Sequence, residues 1–294
     1  MHQECKISII TINYNGLADT CALIDSIPFN DTPLEVIVVD NASLQDEATI
    51  IEQKYPQVKV IRSTKNLGFA GGNNLGIKAA KGKYLYFVNN DTILSHQPSD
   101  IEHLINRLES SDKIGMVCPK IRFAWGSQPI QFAGYTPLSF ITMRNRSIGF
   151  GEEDSGQYNS AHPTPYAHGA AMMVRREVIE EAGIMPECYF LYYEELDWSL
   201  MIQRAGYEIW YEPASTVFHK ESQTTGQNSP LRTYYITRNR LLFTKRNIKG
   251  ITKFLTFGYL VFFVATRDVL KYIAQGKSDL ASSVLRGIIN FIKL

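Results

Sequence analysis

Short apolar runs alternate with amphipathic stretches over the first part of the chain. Residues 7–12 form a β-branched run and predict a strand. Residues 34–40 are almost continuously apolar, as in a strand covered on both faces. Residues 58–61, 83–88 and 114–117 repeat this signature. Between them, 17–27, 48–54, 70–80 and 101–108 carry helical spacing, the first ending near Pro28. Strand and helix therefore alternate, which predicts an α/β fold with a mostly parallel open sheet flanked by helices.

The pattern breaks at residues 121–165. Gly, Pro, Ser, Thr and aromatics dominate there, which predicts an insertion of loops and short strands. Regular periodicity resumes with a strand at 170–174, a helix at 175–182 and a carboxylate-rich helix at 194–204. Two strands are expected at 207–211 and 216–219, and the chain is mainly helical from 232. The expected organisation is a domain over 1–247, with halves 1–120 and 121–247, followed by a helical C-terminal extension over 248–294. No internal repeat or low-complexity tract interrupts it.

The formal net charge of the 294 residues is +1, so no global field favours nucleic acid, and none is expected as a partner. The four cysteines are far apart, which argues against a disulfide framework or zinc site and fits a reducing cytoplasmic setting. The N-terminus lacks the apolar stretch of a signal peptide. Residues 254–265 are apolar but fall short of the ~20 residues that span a bilayer.

In open parallel sheets, ligands bind beyond the carboxyl ends of the strands. Those positions are rich in polar side chains here. They hold Asn13, Tyr14 and Asn15; then Asp40, Asn41 and Ser43; then Asn89, Asn90 and Asp91. Ahead of a helix, 66–74 supplies Asn66, Gly68, Gly71, Gly72, Asn73 and Asn74. The glycines permit close backbone approach, and a helix N-terminus favours an anion. They match neither a Walker loop nor the dinucleotide fingerprint, which argues against an NAD enzyme. Asp91 is a candidate ligand for a hard divalent cation, with His219 at a later strand end as the second contributor. Glu194, Glu195 and Asp197 form the densest acidic group, in aromatic surroundings that favour a general base.

Together these residues resemble the inverting glycosyltransferases of family 2, of GT-A fold, and especially their bacterial rhamnosyltransferase-like branch. The likeness covers roughly 5–247. It is carried in order by Val38-Val39-Asp40-Asn41-Ala42-Ser43, by Asn66-Leu67-Gly68-Phe69-Ala70-Gly71-Gly72-Asn73-Asn74 and by Asn89-Asn90-Asp91. His168-Gly169-Ala170 follows, then Phe190-Leu191-Tyr192-Tyr193-Glu194-Glu195-Leu196-Asp197 with Arg204, then His219 and Tyr234-Tyr235-Ile236-Thr237-Arg238-Asn239.

The resemblance implies a role for each matched position. Thr11 and Tyr14 would contact the nucleoside and Asp40 the base. Asn66, Gly71, Asn73 and Asn90 would lie near ribose and diphosphate. Asp91 matches the last residue of the family's Asp-x-Asp metal motif, whose first Asp is Asn89 here. With His219 it would hold Mg2+ or Mn2+. Glu195 occupies the general-base position, with Glu194 and Asp197 as alternatives. Arg238 would meet the diphosphate or an anionic acceptor.

The implied reaction moves a sugar, with rhamnose a first candidate, from a dTDP- or UDP-linked donor to a hydroxyl. The acceptor would be a glycan or a polyprenyl-diphosphate-linked sugar in cell-surface polysaccharide synthesis. The main alternative is a non-catalytic nucleotide-sugar-binding subunit. A sugar nucleotidyltransferase would need an N-terminal Gly-rich triphosphate loop, which is missing. The apolar positions at 254–263, flanked by Lys253 and Arg267, read either as a dimer-packing helix or as one lying on a membrane surface. The second reading would place the protein at the inner face of the cell membrane.

Overall fold

A computed structural model describes residues 6–29, 33–95, 98–221 and 229–294. The first half follows the alternation of the sequence: β1 (Ile7–Asn13), α1 (Leu17–Asp25), β2 (Leu34–Asp40), α2 (Glu47–Lys54), β3 (Lys59–Arg62), α3 (Gly68–Ala79) and β4 (Tyr84–Val88). A short strand not anticipated from the sequence, β5 (Thr92–Leu94), comes next, then α4 (Pro98–Glu109) and β6 (Ile114–Phe123). The irregular region contributes β7 (Ile130–Phe132) and β8 (His162–Pro163). It is followed by β9 (Ala171–Arg175), α5 (Arg176–Ala182), a 3-10 turn (Glu187–Tyr189), α6 (Glu194–Arg204) and β10 (Glu208–His219).

The strands form one sheet in the order β3-β2-β1-β4-β9-β6-β10-β5, with β7 on β6 and β8 on β10. β3, β2, β1 and β4 are mutually parallel, as are β6 and β10. β9 enters between β4 and β6 antiparallel to both. The expected α/β architecture is therefore present, with an antiparallel strand joining two parallel blocks.

The two strands expected at 207–211 and 216–219 are one. β10 pairs with β6 throughout, and its register shifts between Glu212 and Thr216. Pro213 lies in that gap and has no N–H to give the ladder, so the chain bulges there instead of ending the strand. Alternation of apolar positions masks this continuity, because the bulge resets the period.

The C-terminal part consists of α7 (Pro230–Asn247), α8 (Gly250–Gly258), a π-helical segment (Tyr259–Ala265), α9 (Thr266–Ala274) and α10 (Ser278–Ile292). Helical structure runs unbroken over 250–274. Among the described residues, no helix is long and apolar enough to cross a membrane. The main core packs the sheet against α1 to α6. A second core joins Leu241, Leu242 and Phe243 of α7 to Leu260 and Val264, and also to Leu138 and Met143 of the insertion. The insertion and the extension thus share buried surface. The Thr256 hydroxyl adds a hydrogen bond to the Phe140 carbonyl.

Candidate active site

The parallel pairing of β1 and β2 sets Asn13 beside Asp40. Asn13 is wholly buried. Its Nδ2 donates to Asp40 Oδ1 (2.9 Å), Glu47 Oε2 (2.7 Å) and Ser43 Oγ (3.1 Å). The Ser43 hydroxyl donates to the same Asp40 oxygen at 2.6 Å. Asp40 is thereby fixed as an acceptor at the strand edge, with lone pairs left for a ligand N–H or O–H. Tyr14, partly exposed, follows β1 at this edge.

The glycine-rich segment is an inserted helix start. Asn41 ties it down, accepting from Leu67 N–H (2.9 Å) and donating to Asn66 Oδ1 and the Gly68 carbonyl (both 3.1 Å). Gly68 has φ +73°, and a Cβ there would lie 2.1 Å from the Phe190 carbonyl oxygen. Gly72 and Gly76 would strike Ile12 and Ile10 of β1, at 2.8 and 2.4 Å. Gly71 is buried too, crowded by Leu67. These glycines let α3 pack tightly on β1 and on the 190 turn.

β5 decides the next feature. It pairs antiparallel with the end of β10, with Thr92 opposite His219. Asp91, just before β5, therefore meets His219, and Oδ1 lies 3.1 Å from Nε2. Gln131 Oε1 lies 2.9 Å from Nδ1 and accepts its proton, which leaves the lone pair on Nε2. Nε2 is buried and has no aligned hydrogen bond. A lone pair facing a carboxylate at that distance suits a cation between or beside them. Among the described residues, no group of three or more His, Cys, Asp or Glu could hold a metal. Two protein ligands fit Mg2+ or Mn2+, which take one or two carboxylates and complete their shell with substrate phosphates and water.

A line of rings, half-buried at His168 and Tyr135, runs from this pair. The His168 ring is 6.3 Å from that of His219 and stacks on Tyr135 at 6.1 Å. The Ala170 N–H donates to His168 Nδ1 (3.2 Å), which assigns the ring proton to Nε2. Burial, with a smaller contribution from the charge of Glu195, pushes the Tyr135 hydroxyl far above the usual range. Gly169 faces Phe69 and the Glu195 side chain, 3.8 and 3.9 Å from where a Cβ would stand.

Glu194 and Glu195 open α6. Glu194 is buried, and its Oε2 has no hydrogen-bond partner. Glu195 keeps some exposure. Desolvation raises both carboxyls, and the neighbouring charge of Glu195 lifts Glu194 further. Backbone amides at the helix start offset this only in part.

The turn before α6 is strained: Phe190, Tyr192 and Tyr193 have φ of 68°, 68° and 81°. Asn239, fully buried on α7, holds it. Its Nδ2 donates to the carbonyls of Tyr189 (3.0 Å), Leu191 (2.7 Å) and Tyr192 (2.9 Å). Asn239 was legible only as the end of a motif. A polar residue one turn from the apolar Leu241, Leu242 and Phe243 is the signal that marks it.

The fold occupies several expected site residues otherwise. Asp197 is buried, accepting from Tyr189 OH (2.9 Å) and Arg246 Nε (2.6 Å). It is an anchor between α6 and α7, not a base open to substrate. Arg238 donates to Asn239 Oδ1 (2.8 Å) and to the Cys188 and Tyr189 carbonyls, so its fork is engaged with the turn. The Thr11 side chain is sealed within the sheet. Asn73 donates to Phe69 of its own helix (3.2 Å), and Asn90 to Thr20 Oγ1 (3.1 Å). Contacts from these side chains to a nucleotide would require those bonds to exchange.

His168 yields a stability prediction. Burial, with a smaller contribution from His219, pushes its pKa down to about 3. Below about pH 6.5 the unfolded chain accepts a proton that the folded one refuses. Stability therefore falls on acidification, by about 2 kcal/mol between pH 7 and pH 5. Glu194 and Glu195 act with opposite sign, since their raised pKa values make the folded state take up protons first. The difference between the parent chain and His168→Asn isolates the imidazole. The variant should lose less melting temperature over that interval, and equal losses would contradict the assignment.

The glycosyl transferase family 2 model matches residues 8–183, and the chain belongs to this family. A low-salt glycan biosynthesis hexosyltransferase of Haloferax volcanii is 28% identical over 245 residues, covering 80% of this chain and 74% of its own. An N-acetylglucosaminyl-diphospho-decaprenol L-rhamnosyltransferase of Mycobacterium tuberculosis is 25% identical, covering 67% of this chain and 70% of its own. A mannosyltransferase structure from Pyrobaculum calidifontis, in complex with GDP-Man and Mn2+, superposes with TM-score 0.61 at 14% identity. That match covers 99% of this chain and 88% of the other. The fold is GT-A, and the protein is a family 2 glycosyltransferase.

Proposed function

We propose that the protein transfers a sugar, with inversion, from a UDP- or dTDP-linked donor to a hydroxyl of a glycan or a polyprenyl-diphosphate-linked acceptor. The observation that carries this reading is Glu195. It is a partly exposed carboxylate raised by desolvation, facing Gly169 beside His168, whose ring lies 6.3 Å from that of His219 in the Asp91–His219 pair. Rhamnose is the first donor sugar to try, on the strength of the mycobacterial relative's activity.

In this reading the nucleoside sits at the β1 and β2 ends, with Asp40 accepting from the base or ribose. Asp91 and His219 would hold Mg2+ or Mn2+. The ion, when bound, neutralises negative charge on the leaving diphosphate. Glu195 removes the acceptor hydroxyl proton. The acceptor oxygen bonds to the anomeric carbon while the bond to the diphosphate breaks, its electron pair leaving with the phosphate oxygen. His168 stays neutral and offers its Nε2–H between the two ends of the site.

A thermal-shift panel of nucleotide sugars with Mg2+ or Mn2+ should identify the donor, since a ligand of the folded state raises the melting temperature. Binding without transfer or donor hydrolysis would instead identify a non-catalytic sugar-nucleotide-binding subunit. Asp91→Ala is expected to abolish the metal dependence of donor binding. A metal titration unchanged from the parent chain would remove Asp91 from the role.

Residues 248–294 form the accessory extension to the transfer domain in this proposal. Seven Lys and Arg stand there against two Asp, and Phe254, Phe262 and Phe263 are each 70% exposed or more. Both features suit an anionic membrane surface. Because Leu260 and Val264 are core residues, truncation at 247 would damage the fold. Paired Phe254→Ser and Phe263→Ser substitutions are the cleaner test. Co-flotation with anionic vesicles should drop several-fold. A loss of dimer, with flotation intact, would assign the face to self-association.

A further inference from the structure

The turn between β6 and β7 carries a group of aromatic rings that the transfer reading leaves unused. The Phe123 ring lies 4.6 Å from that of Trp125 and 5.5 Å from that of Phe150, centroid to centroid. Phe123 is buried, but Trp125 and Phe150 are 54% and 59% exposed. Single exposed aromatics are ordinary, whereas rings gathered beside a cleft point to a ligand. The indole N–H is a second observation. Trp198 donates to the Gly183 carbonyl and Trp210 to Glu208 Oε2, both at 2.8 Å. The N–H of Trp125 has no protein acceptor among the described residues.

Strand pairing places these rings beside the candidate active site. His219 and Phe123 are partners in the parallel β6–β10 pair, so their side chains share one face of the sheet. The next N–H, of Ala124, donates to the His219 carbonyl at 3.0 Å. With strands ~4.8 Å apart, the Trp125 ring stands within roughly 10 Å of His219. Glu195 lies on the other side of His219, against Gly169 and next to His168. β1 and β2 are three and four strands from β6, ~14 Å or more away. A nucleoside at their ends does not reach the rings, which leaves them to the acceptor.

The turn holds the rings in place before anything binds. The Phe123 N–H donates to the Pro129 carbonyl (2.9 Å), the Gln128 N–H to the Trp125 carbonyl (3.0 Å) and Arg122 Nε to the Gln128 carbonyl (2.7 Å). The Phe150 loop is tied to β7 by the Ile130 N–H on the Glu152 carbonyl and the Gly151 N–H on the Ile130 carbonyl, both at 2.8 Å. Such preorganisation reduces the entropy lost on binding. The electron-rich face of an aromatic ring attracts the positively polarised C–H groups of a sugar ring, and a free indole N–H can donate to a sugar hydroxyl. The edge of the group is polar and acidic: the Ser127 hydroxyl donates to Glu153, and Glu152 is exposed beside it. That edge repels an anionic lipid surface and suits a neutral sugar.

We infer that Trp125 and Phe150 form a platform for a neutral sugar ring of the acceptor, one further along the chain than the ring whose hydroxyl meets Glu195. The inference rests on the sugar-transfer reading above and narrows its acceptor to a glycan longer than a single sugar.

The test is a titration of the full chain, without donor or metal, with maltotriose, mannotriose and triacetylchitotriose, read by ligand-observed NMR and by tryptophan emission. At least one trisaccharide should bind and shift the emission, because Trp125 is the most exposed of the three tryptophans. Trp125→Ala should weaken binding about tenfold, the scale of a lost ring contact with its hydrogen bond, and Phe150→Ala several-fold. Trp125→Phe keeps a ring, so it should retain most of the affinity while losing the emission change. If Trp125→Ala disturbs the turn, Phe150→Ala and Trp125→Phe carry the test. Absence of trisaccharide binding by the parent chain, or unchanged affinity in both alanine variants, would overturn the inference. So would loss of vesicle co-flotation in Trp125→Ala without any trisaccharide binding, which assigns the rings to a membrane. No readout here uses a nucleotide sugar. A parent chain that binds a trisaccharide but neither binds nor turns over any donor would therefore sink the sugar-transfer reading separately.

Discussion

Glu195→Gln is expected to lower the turnover number by ~10²–10⁴-fold, the usual contribution of a positioned general base. The amide keeps the shape of the side chain but cannot take the acceptor proton. Donor affinity should change little, because the proposed nucleotide end of the site is built from β1, β2 and α3. The folded protein should be no less stable. Desolvation already penalises ionised Glu195, so a neutral replacement removes a cost rather than a support. Loss of activity in a well-folded variant would therefore report chemistry. The same raised pKa sets the pH profile. The base works ionised, so the rate at saturating donor should fall with decreasing pH along a limb placed above that of an ordinary glutamate, ~4.3. Substantial transfer by Glu195→Gln, with transfer lost in Glu194→Gln, would move the role to Glu194.

Asn239→Ala is expected to have the second-largest effect, on stability and rate together. The amide serves three carbonyls with two hydrogens, one of them shared. Its removal leaves buried acceptors unmatched, at ~1–3 kcal/mol for such a group. The loss falls on a turn that holds three non-glycine residues at positive φ, a conformation that persists only where the surroundings enforce it. The turn should relax, and with it the start of α6. A displacement of about 1 Å at a catalytic group can cost ~10²-fold in rate. Asn239→Asp separates donation from packing: it is nearly isosteric but directs a carboxylate at carbonyl oxygens. It should be at least as damaging as Asn239→Ala in urea unfolding and in single-turnover rate. A stable, active Asp variant would refute the clamp.

Much of this site was legible along the chain because strand ends are local. The apolar runs at 34–40 and 83–88 end in Asp40 and just before Asp91, and a buried strand must deliver its next polar residue to the sheet edge. The acidic start of α6 was visible too, since three carboxylates in one helical turn need no tertiary context. Asp197 shows the limit. It lies two residues beyond Glu195 and has the same chemistry, yet it turns inward to Arg246. Its assignment depended on α7, which no local pattern could place. Arg238 shows the same limit: its acceptors are carbonyls of a turn distant in sequence.

What the sequence by itself determined is the α/β alternation, the polar edge, the carboxylate-rich helix and the family. Each follows from short-range periodicity or from motif order. What only the tertiary structure decided is which polar groups meet. β5 turns back onto β10 and sets Asp91 against His219. The insertion supplies Gln131 and Tyr135, and α7 supplies the Asn239 clamp. The physical reason is that a side chain's role depends on its nearest partner in space. Here those partners come from segments whose pairing is fixed by register and packing rather than by sequence spacing.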